Sequence, residues 1–299
     1  MNFLALFVGL GIERLLTHLF HLREFHWLDP LLDRLLSDQR FTQPNMAIVA
    51  AVIVTALLVL PVGLIDILLS ERLAYIPPFL FAVAVLLFCL GPRDLGKEVD
   101  DYCDALQAGN KDAIRTIGHE LLERWPGPDE TAPDIETAIY AQANNRIFGV
   151  VFWFVMLGPS GAWLFRVLDL MRHRAAQQIE TLKVTGGEIE LPRIVQAVLL
   201  LHFLIAWIPS RLLAIGYILA GNYDGAVAAW KELRTDSSAG FPGPTDQLLG
   251  AVGKGAASWG GADDDAVGCI VNARTLVFRT LWLIWCPVLA LLTLYDLLA

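Results

Sequence analysis

Residues Met46 to Leu69 read MAIVAAVIVTALLVLPVGLIDILL, and this stretch decides the fold class. As a helix it extends about 36 Å, more than the roughly 30 Å of a bilayer's hydrocarbon core. Working outward, Leu73 to Leu90 (LAYIPPFLFAVAVLLFCL) follows Glu71 and Arg72 and carries Pro77 and Pro78 where its first turns would lie. A proline ring does least harm there, because those N–H groups have no intrahelical partner. The two segments predict a membrane-embedded helical hairpin. A third span is expected over Thr275–Leu294, with Arg279 one turn in, and a fourth over Asn2–Phe20. The last lacks a basic n-region and a small-residue cleavage pattern, so it reads as a retained helix and not as a signal peptide.

Composition agrees. Of 299 residues, 56% are hydrophobic and 18% charged, too apolar for an ordinary soluble domain or a disordered chain. The net charge of −9 gives no general attraction to nucleic acid, and membrane lipids are the expected surroundings. Cys89, Cys103, Cys269 and Cys286 form no CxxC and no zinc spacing, so neither a disulfide framework nor a metal or cofactor site is expected.

Basic residues set the sidedness. Arg23, Arg34, Arg40, Arg93 and Lys97 follow the first helix and the hairpin, whereas the connection inside the hairpin holds only Arg72. The basic segments are therefore expected in the cytoplasm and the N-terminus in the periplasm. Glu13, Arg14, Thr17, His18 and His21 lie at helical spacing and form one polar stripe on the first helix, which should face protein and line a cavity.

Two apolar segments look broken. Between Arg146 and Gly158-Pro159-Ser160-Gly161 only 11 apolar residues intervene, about 16 Å of helix and half of a crossing. Ser160 could cap a new helix there, which soon meets Arg166, Asp169, Arg172 and Arg174. Ile194–Leu219 runs 15 residues to Ile208 before Pro209, after which Ser210 could cap again and Arg211 follows. The expected interrupted elements are thus 147–175 and 194–219, half-membrane or re-entrant. Fresh helix N-termini beside arginines suit an anion. Kinked packing helices with snorkelling arginines are the other reading.

The segment 91–145 holds twelve acidic residues and reads as a cytoplasmic helical loop, with helices over Glu98–Ala108 and Asp112–Arg124 about a Gly109-Asn110 turn. Asp112 is expected near the second N-cap. The pattern recurs at Gly221-Asn222, and both glycines are expected in left-handed geometry. Within 221–274 a cytoplasmic helix should lead into a Gly- and Pro-rich mobile loop over Thr235–Asp265. LLGAVGKGAAS, inside that loop, lacks the first glycine and the final Ser or Thr of a nucleotide-binding P-loop. These helices could also dock a protein partner.

Three strings carry a resemblance: GIERLL with HWLDPLLDRLL, ANNRIFGVVFWFVMLGPSGAWLFRVLDL, and AWIPSRLLAIGYILAGNYDGAVAAW. They resemble the AmpE family, inner-membrane proteins described as regulatory or signalling components of β-lactamase induction, over about Gly11 to Trp230. The middle block is more distantly similar to the CbiB/CobD family, membrane proteins of cobalamin biosynthesis that form an amide with ATP. Where that family shows E-N-x-x-D-G, this chain has Asn144-Asn145-Arg146-Ile147-Phe148-Gly149. Asp169 is the one carboxylate kept, and paired aspartates of the family fall near His202-Phe203. ATP-dependent acyl activation needs several carboxylates around Mg²⁺, so the resemblance implies that this chemistry is lost.

The expectation is an all-α integral membrane protein of the bacterial inner membrane, with about four spans, two interrupted elements and cytoplasmic hairpins in a single membrane domain. Its function is expected to be regulatory and non-catalytic. An anionic, partly apolar ligand, such as a cell-wall fragment or lipid phosphate, would meet Asn144, Asn145, Arg146, Ser160, Gly161, Arg166, Asp169, Ser210 and Arg211. Glu13, Arg14, His18 and His202 could line the same cavity. The alternative is a membrane-embedded enzyme, an amide-forming transferase or one acting on a lipid-linked substrate, with Asp169 positioning Mg²⁺ and His202 as base.

Overall fold

The computed structural model describes residues 28–36, 43–72, 76–90, 94–122, 132–184, 191–233, 244–258 and 266–298, all of whose regular elements are helical. The expected first span, with Glu13, Arg14, Thr17, His18 and His21, lies outside the described residues. Among the described residues, three helices are long and apolar enough to cross a membrane: Pro44–Ser70, Arg193–Ala220 and Ala266–Leu292. The second half of the expected hairpin is shorter, Ile76–Cys89, about 21 Å at 1.5 Å per residue, with Pro77 and Pro78 in its first turn as anticipated.

The chain divides into two compact units. The first comprises Met1–Pro92 and Gly149–Ala206. It contains α1 (Asp29–Leu36), α2 (Pro44–Arg72), α3 (Ile76–Cys89) and the later helices α7 (Gly149–Leu157) and α8 (Pro159–Val184). The expected break between α7 and α8 is present. Gly158 has φ +69°, a left-handed conformation that side chains resist, and Pro159 opens α8. Ser160 therefore sits inside the first turn, and the Gly158 carbonyl accepts from the Gly161 N–H at 3.1 Å, which corrects its assignment as cap.

The two helices pack as an antiparallel hairpin at near backbone contact. A Cβ on Gly161 would lie 2.3 Å from the Trp153 carbonyl oxygen, and one on Gly149 would lie 2.2 Å from the Phe165 ring. Opposite ends of the seam are thus held close by the two missing side chains. Around this hairpin, the Trp163 indole donates to the Leu58 carbonyl of α2 at 2.9 Å. That carbonyl neighbours the one that Pro61 leaves without a donor.

The second expected break is absent. Arg193–Ala220 forms one helix, α9, with Pro209 inside it, and the unit boundary falls between Ala206 and Trp207. Proline leaves the carbonyl four residues earlier unbonded, here Ile205, and the Trp153 indole N–H donates to it at 3.2 Å. Ser210 caps nothing; its hydroxyl donates back to the Trp207 carbonyl at 3.1 Å. An external donor has taken over from the missing N–H, so the helix continues.

The second unit comprises Arg93–Phe148 and Trp207–Ala299. Helices α4 (Leu95–Ala108) and α5 (Lys111–Leu122) form the anticipated hairpin, with Gly109 at φ +65°. The Asn110 side chain, not Asp112, caps α5 by accepting from the Ala113 N–H. Helix α6 (Ala132–Gln142) runs into a π turn, Ala143–Phe148. Then come α10 (Tyr223–Leu233), α11 (Pro244–Ala257), α12 (Ala266–Arg279), a second π turn Thr280–Trp285, and α13 (Cys286–Leu298).

Two expectations fail here for one reason. Gly221 is not left-handed, and the loop expected over Thr235–Asp265 contains the largely buried helix α11. The glycines serve close approach: Cβ atoms would lie 2.3 Å from Thr137 at Gly250, 2.5 Å from the Tyr140 ring at Gly253, and 2.5 Å from backbone oxygens at Gly221 and Gly255. A Gly-rich string that looks like a loop is here a smooth helix face between α6 and α10.

Candidate functional site

Helix α8 aligns Arg166, Asp169 and Arg172 on one face, because residues three apart are neighbours on a helix surface. All three are 4–5% exposed. The Asp169 carboxylate accepts from Arg166 Nη1 through Oδ2 at 3.0 Å, and from Arg172 Nη2 through Oδ1 at 3.0 Å. His202 of α9 brings Nε2 to 3.9 Å from Oδ1, with its ring tilted against Phe165. Among the described residues, one buried carboxylate thus faces two guanidiniums and an imidazole. Burial is tolerated only because the charges are paired, and the low dielectric strengthens each contact.

The chemistry open to this cluster follows from those contacts. Both Asp169 oxygens already accept charge-assisted hydrogen bonds, so a divalent cation would have to displace a guanidinium. Among the described residues, no grouping of three or more His, Cys, Asp or Glu could hold a metal ion. Arginine forks fixed by a shared carboxylate suit phosphate or carboxylate recognition.

The second unit holds the other expected residues. Asn144, Asn145 and Arg146 all fall in the first π turn and are buried. Arg146 pairs with Glu98 of α4 and donates from Nε to Gln142 at 2.9 Å and from Nη2 to the Glu120 carbonyl at 3.2 Å. It ties three helices together, and a ligand would have to compete with Glu98. Arg211 is half-buried, stacked 3.9 Å over the Trp207 ring and donating to the Trp207 carbonyl. Each set of residues is defined within its own unit.

Arg172, named from sequence beside Asp169, is not among the expected ligand residues, although its spacing to Asp169 is readable. Trp153 and Trp163 are not singled out from sequence, since an indole's partner is a carbonyl on a distant segment.

A family model described as "Regulatory signalling modulator protein AmpE" matches residues 1–298. A curated relative, "Cobalamin biosynthesis protein CobD" of Chromobacterium violaceum, is 25% identical over 222 residues, 67% of each chain. No solved structure matches.

Proposed function

The chain belongs to the AmpE family, and we propose that it acts there as a non-catalytic membrane regulator that binds an anionic, partly apolar ligand. The observation that carries this reading is the occupation of both Asp169 oxygens by Arg166 and Arg172. An acid used in this way positions cations for an anion, whereas amide synthesis with ATP asks carboxylates to hold Mg²⁺. The ligand would be a cell-wall fragment or lipid phosphate, with Arg166 contributing to its recognition, and the regulated process would be β-lactamase induction. We place the protein in the inner membrane with its basic segments cytoplasmic and its N-terminus periplasmic.

The test is native mass spectrometry of the detergent-purified protein beside Arg166→Ala and Arg146→Ala, with ATP turnover measured on the same samples. A bound adduct of defined mass, lost in the first variant and kept in the second, supports the reading. Turnover that scales with protein and disappears in Asp169→Asn overturns it and favours an enzyme like the cobalamin-biosynthesis relative.

A further inference from the structure

The π turn Thr280–Trp285 sits in the middle of the apolar segment Ala266–Leu292, and it concentrates several unfavourable features. Its wide ring is closed by the Cys286 N–H bonding to the Leu281 carbonyl, five residues back. The Thr280 hydroxyl and the Trp285 indole nitrogen are both buried without a hydrogen-bond partner among the described residues. Both side chains press on Gly216 of α9, where a Cβ would meet Thr280 Cγ2 at 2.6 Å and Trp285 Nε1 at 2.7 Å. The Trp285 ring also packs on Phe148, the last residue of the other π turn, at 4.9 Å between centroids. Single π turns inside helices are rare and recur at functional positions.

The regular alternative has its own cost. Pro287 follows two residues after the π turn. In an uninterrupted α-helix its ring would abut the Leu283 carbonyl, four residues earlier, and leave it without a donor. The wide turn relieves that clash. Beyond it, every residue from Cys286 to Leu292 is exposed or half-buried. Turning this apolar stretch exchanges one exposed side for another.

We propose that Thr280–Trp285 is a two-state element, with a docked π state in which Trp285 lies on Gly216 and a released α state in which it does not. Annealing the extra residue rotates everything from Cys286 onward by about 100° and shifts it by about 1.5 Å. Once Trp285 leaves, the Thr280 hydroxyl can bond the Leu276 carbonyl one turn back, as Thr275 already does to Val271 at 2.8 Å. The docked state bears two unsatisfied polar groups and the released state bears the proline clash, so the two lie close enough in free energy to be shifted. Release presents a different face of residues 281–292 outside the unit, and no ligand at Asp169 is needed for it.

The test is ¹⁹F NMR of the full chain labelled with 5-fluorotryptophan, in which the Trp285 signal is identified by its disappearance in Trp285→Phe. Thr280→Val removes one orphan hydroxyl at constant shape and should favour the docked line. Gly216→Ala and Pro287→Ala should favour the released line, the first by excluding docking and the second by removing the clash. The expected result is at least a tenfold change in the ratio of the two lines between Thr280→Val and Pro287→Ala, the latter a substitution at an exposed position that leaves the packed core intact. One Trp285 line at the same shift in wild type, Thr280→Val and Pro287→Ala overturns the proposal.

Discussion

Trp153 completes a hydrogen bond that Pro209 removes: its indole nitrogen stands 3.2 Å from the carbonyl oxygen of Ile205, the acceptor that the residue at position 209 would ordinarily satisfy. This relationship explains why a 28-residue helix passes through a proline without stopping. It also couples α7, the short arm of the hairpin, to α9 within the first unit. Trp153→Phe keeps the ring and removes the donor, leaving a carbonyl unsatisfied at a cost of about 1–3 kcal/mol. In a Pro209→Ala background the new N–H serves Ile205, and the same change should cost much less. A double-mutant cycle on denaturation in detergent measures the difference, and equal costs in both backgrounds rule the coupling out.

Substitution of Asp169 should be severe for a related reason. Asp169→Asn removes the charge that two buried guanidiniums share, and breaking a buried pair costs about 3–5 kcal/mol. Adding Arg172→Leu removes one of the stranded cations and should restore part of the loss. Thermal midpoints of the single and double variants check this, and a double variant less stable than Asp169→Asn contradicts it.

The hairpin seam distinguishes yielding from unyielding neighbours. Gly161→Ala sets a methyl against the Trp153 backbone, which cannot move without opening the hairpin, while Gly149→Ala meets the Phe165 ring. Overpacking of this sort costs about 1–3 kcal/mol, and the larger loss is expected at Gly161. Unfolding midpoints in detergent rank the pair, and a greater loss at Gly149 reverses the assignment of the rigid contact.

These residues also show where the sequence was legible. Met46–Leu69 announces its helix by length alone, and Gly158-Pro159 announces a break because the first accepts φ > 0 and the second fits a first helical turn. Arg166, Asp169 and Arg172 are joined by helical spacing, so their union needs no tertiary information. Pro209 misled because its consequence depends on whether another segment supplies a donor, and Trp153 lies 52 residues before Ile205, whose carbonyl it serves. Gly221, Gly250, Gly253 and Gly255 misled because glycine serves turns and tight helix contacts alike, and only the partner decides which. Arg146 gave no sign that Glu98 would claim it.

Glu136 provides a pH test outside the apolar spans. Burial pushes its carboxyl above the usual carboxylate range, against the opposing pull of Lys254 and of the Tyr140 hydroxyl, which donates to Oε1 at 3.2 Å. The folded chain therefore takes up this proton more readily than the unfolded chain does. The stability so contributed is fully present below the unfolded carboxyl's pKa and is lost as pH rises through the raised folded value. Glu136→Gln keeps an acceptor for Tyr140 and has no charge to bury. It should be more stable than wild type at neutral pH, and the gap should close as the pH is lowered towards about 4, the ordinary range for a glutamate. Thermal midpoints recorded across that interval test the sign: a variant weaker than wild type at neutral pH, with an unchanged pH slope, shows that Glu136 is held as a charged partner of Lys254.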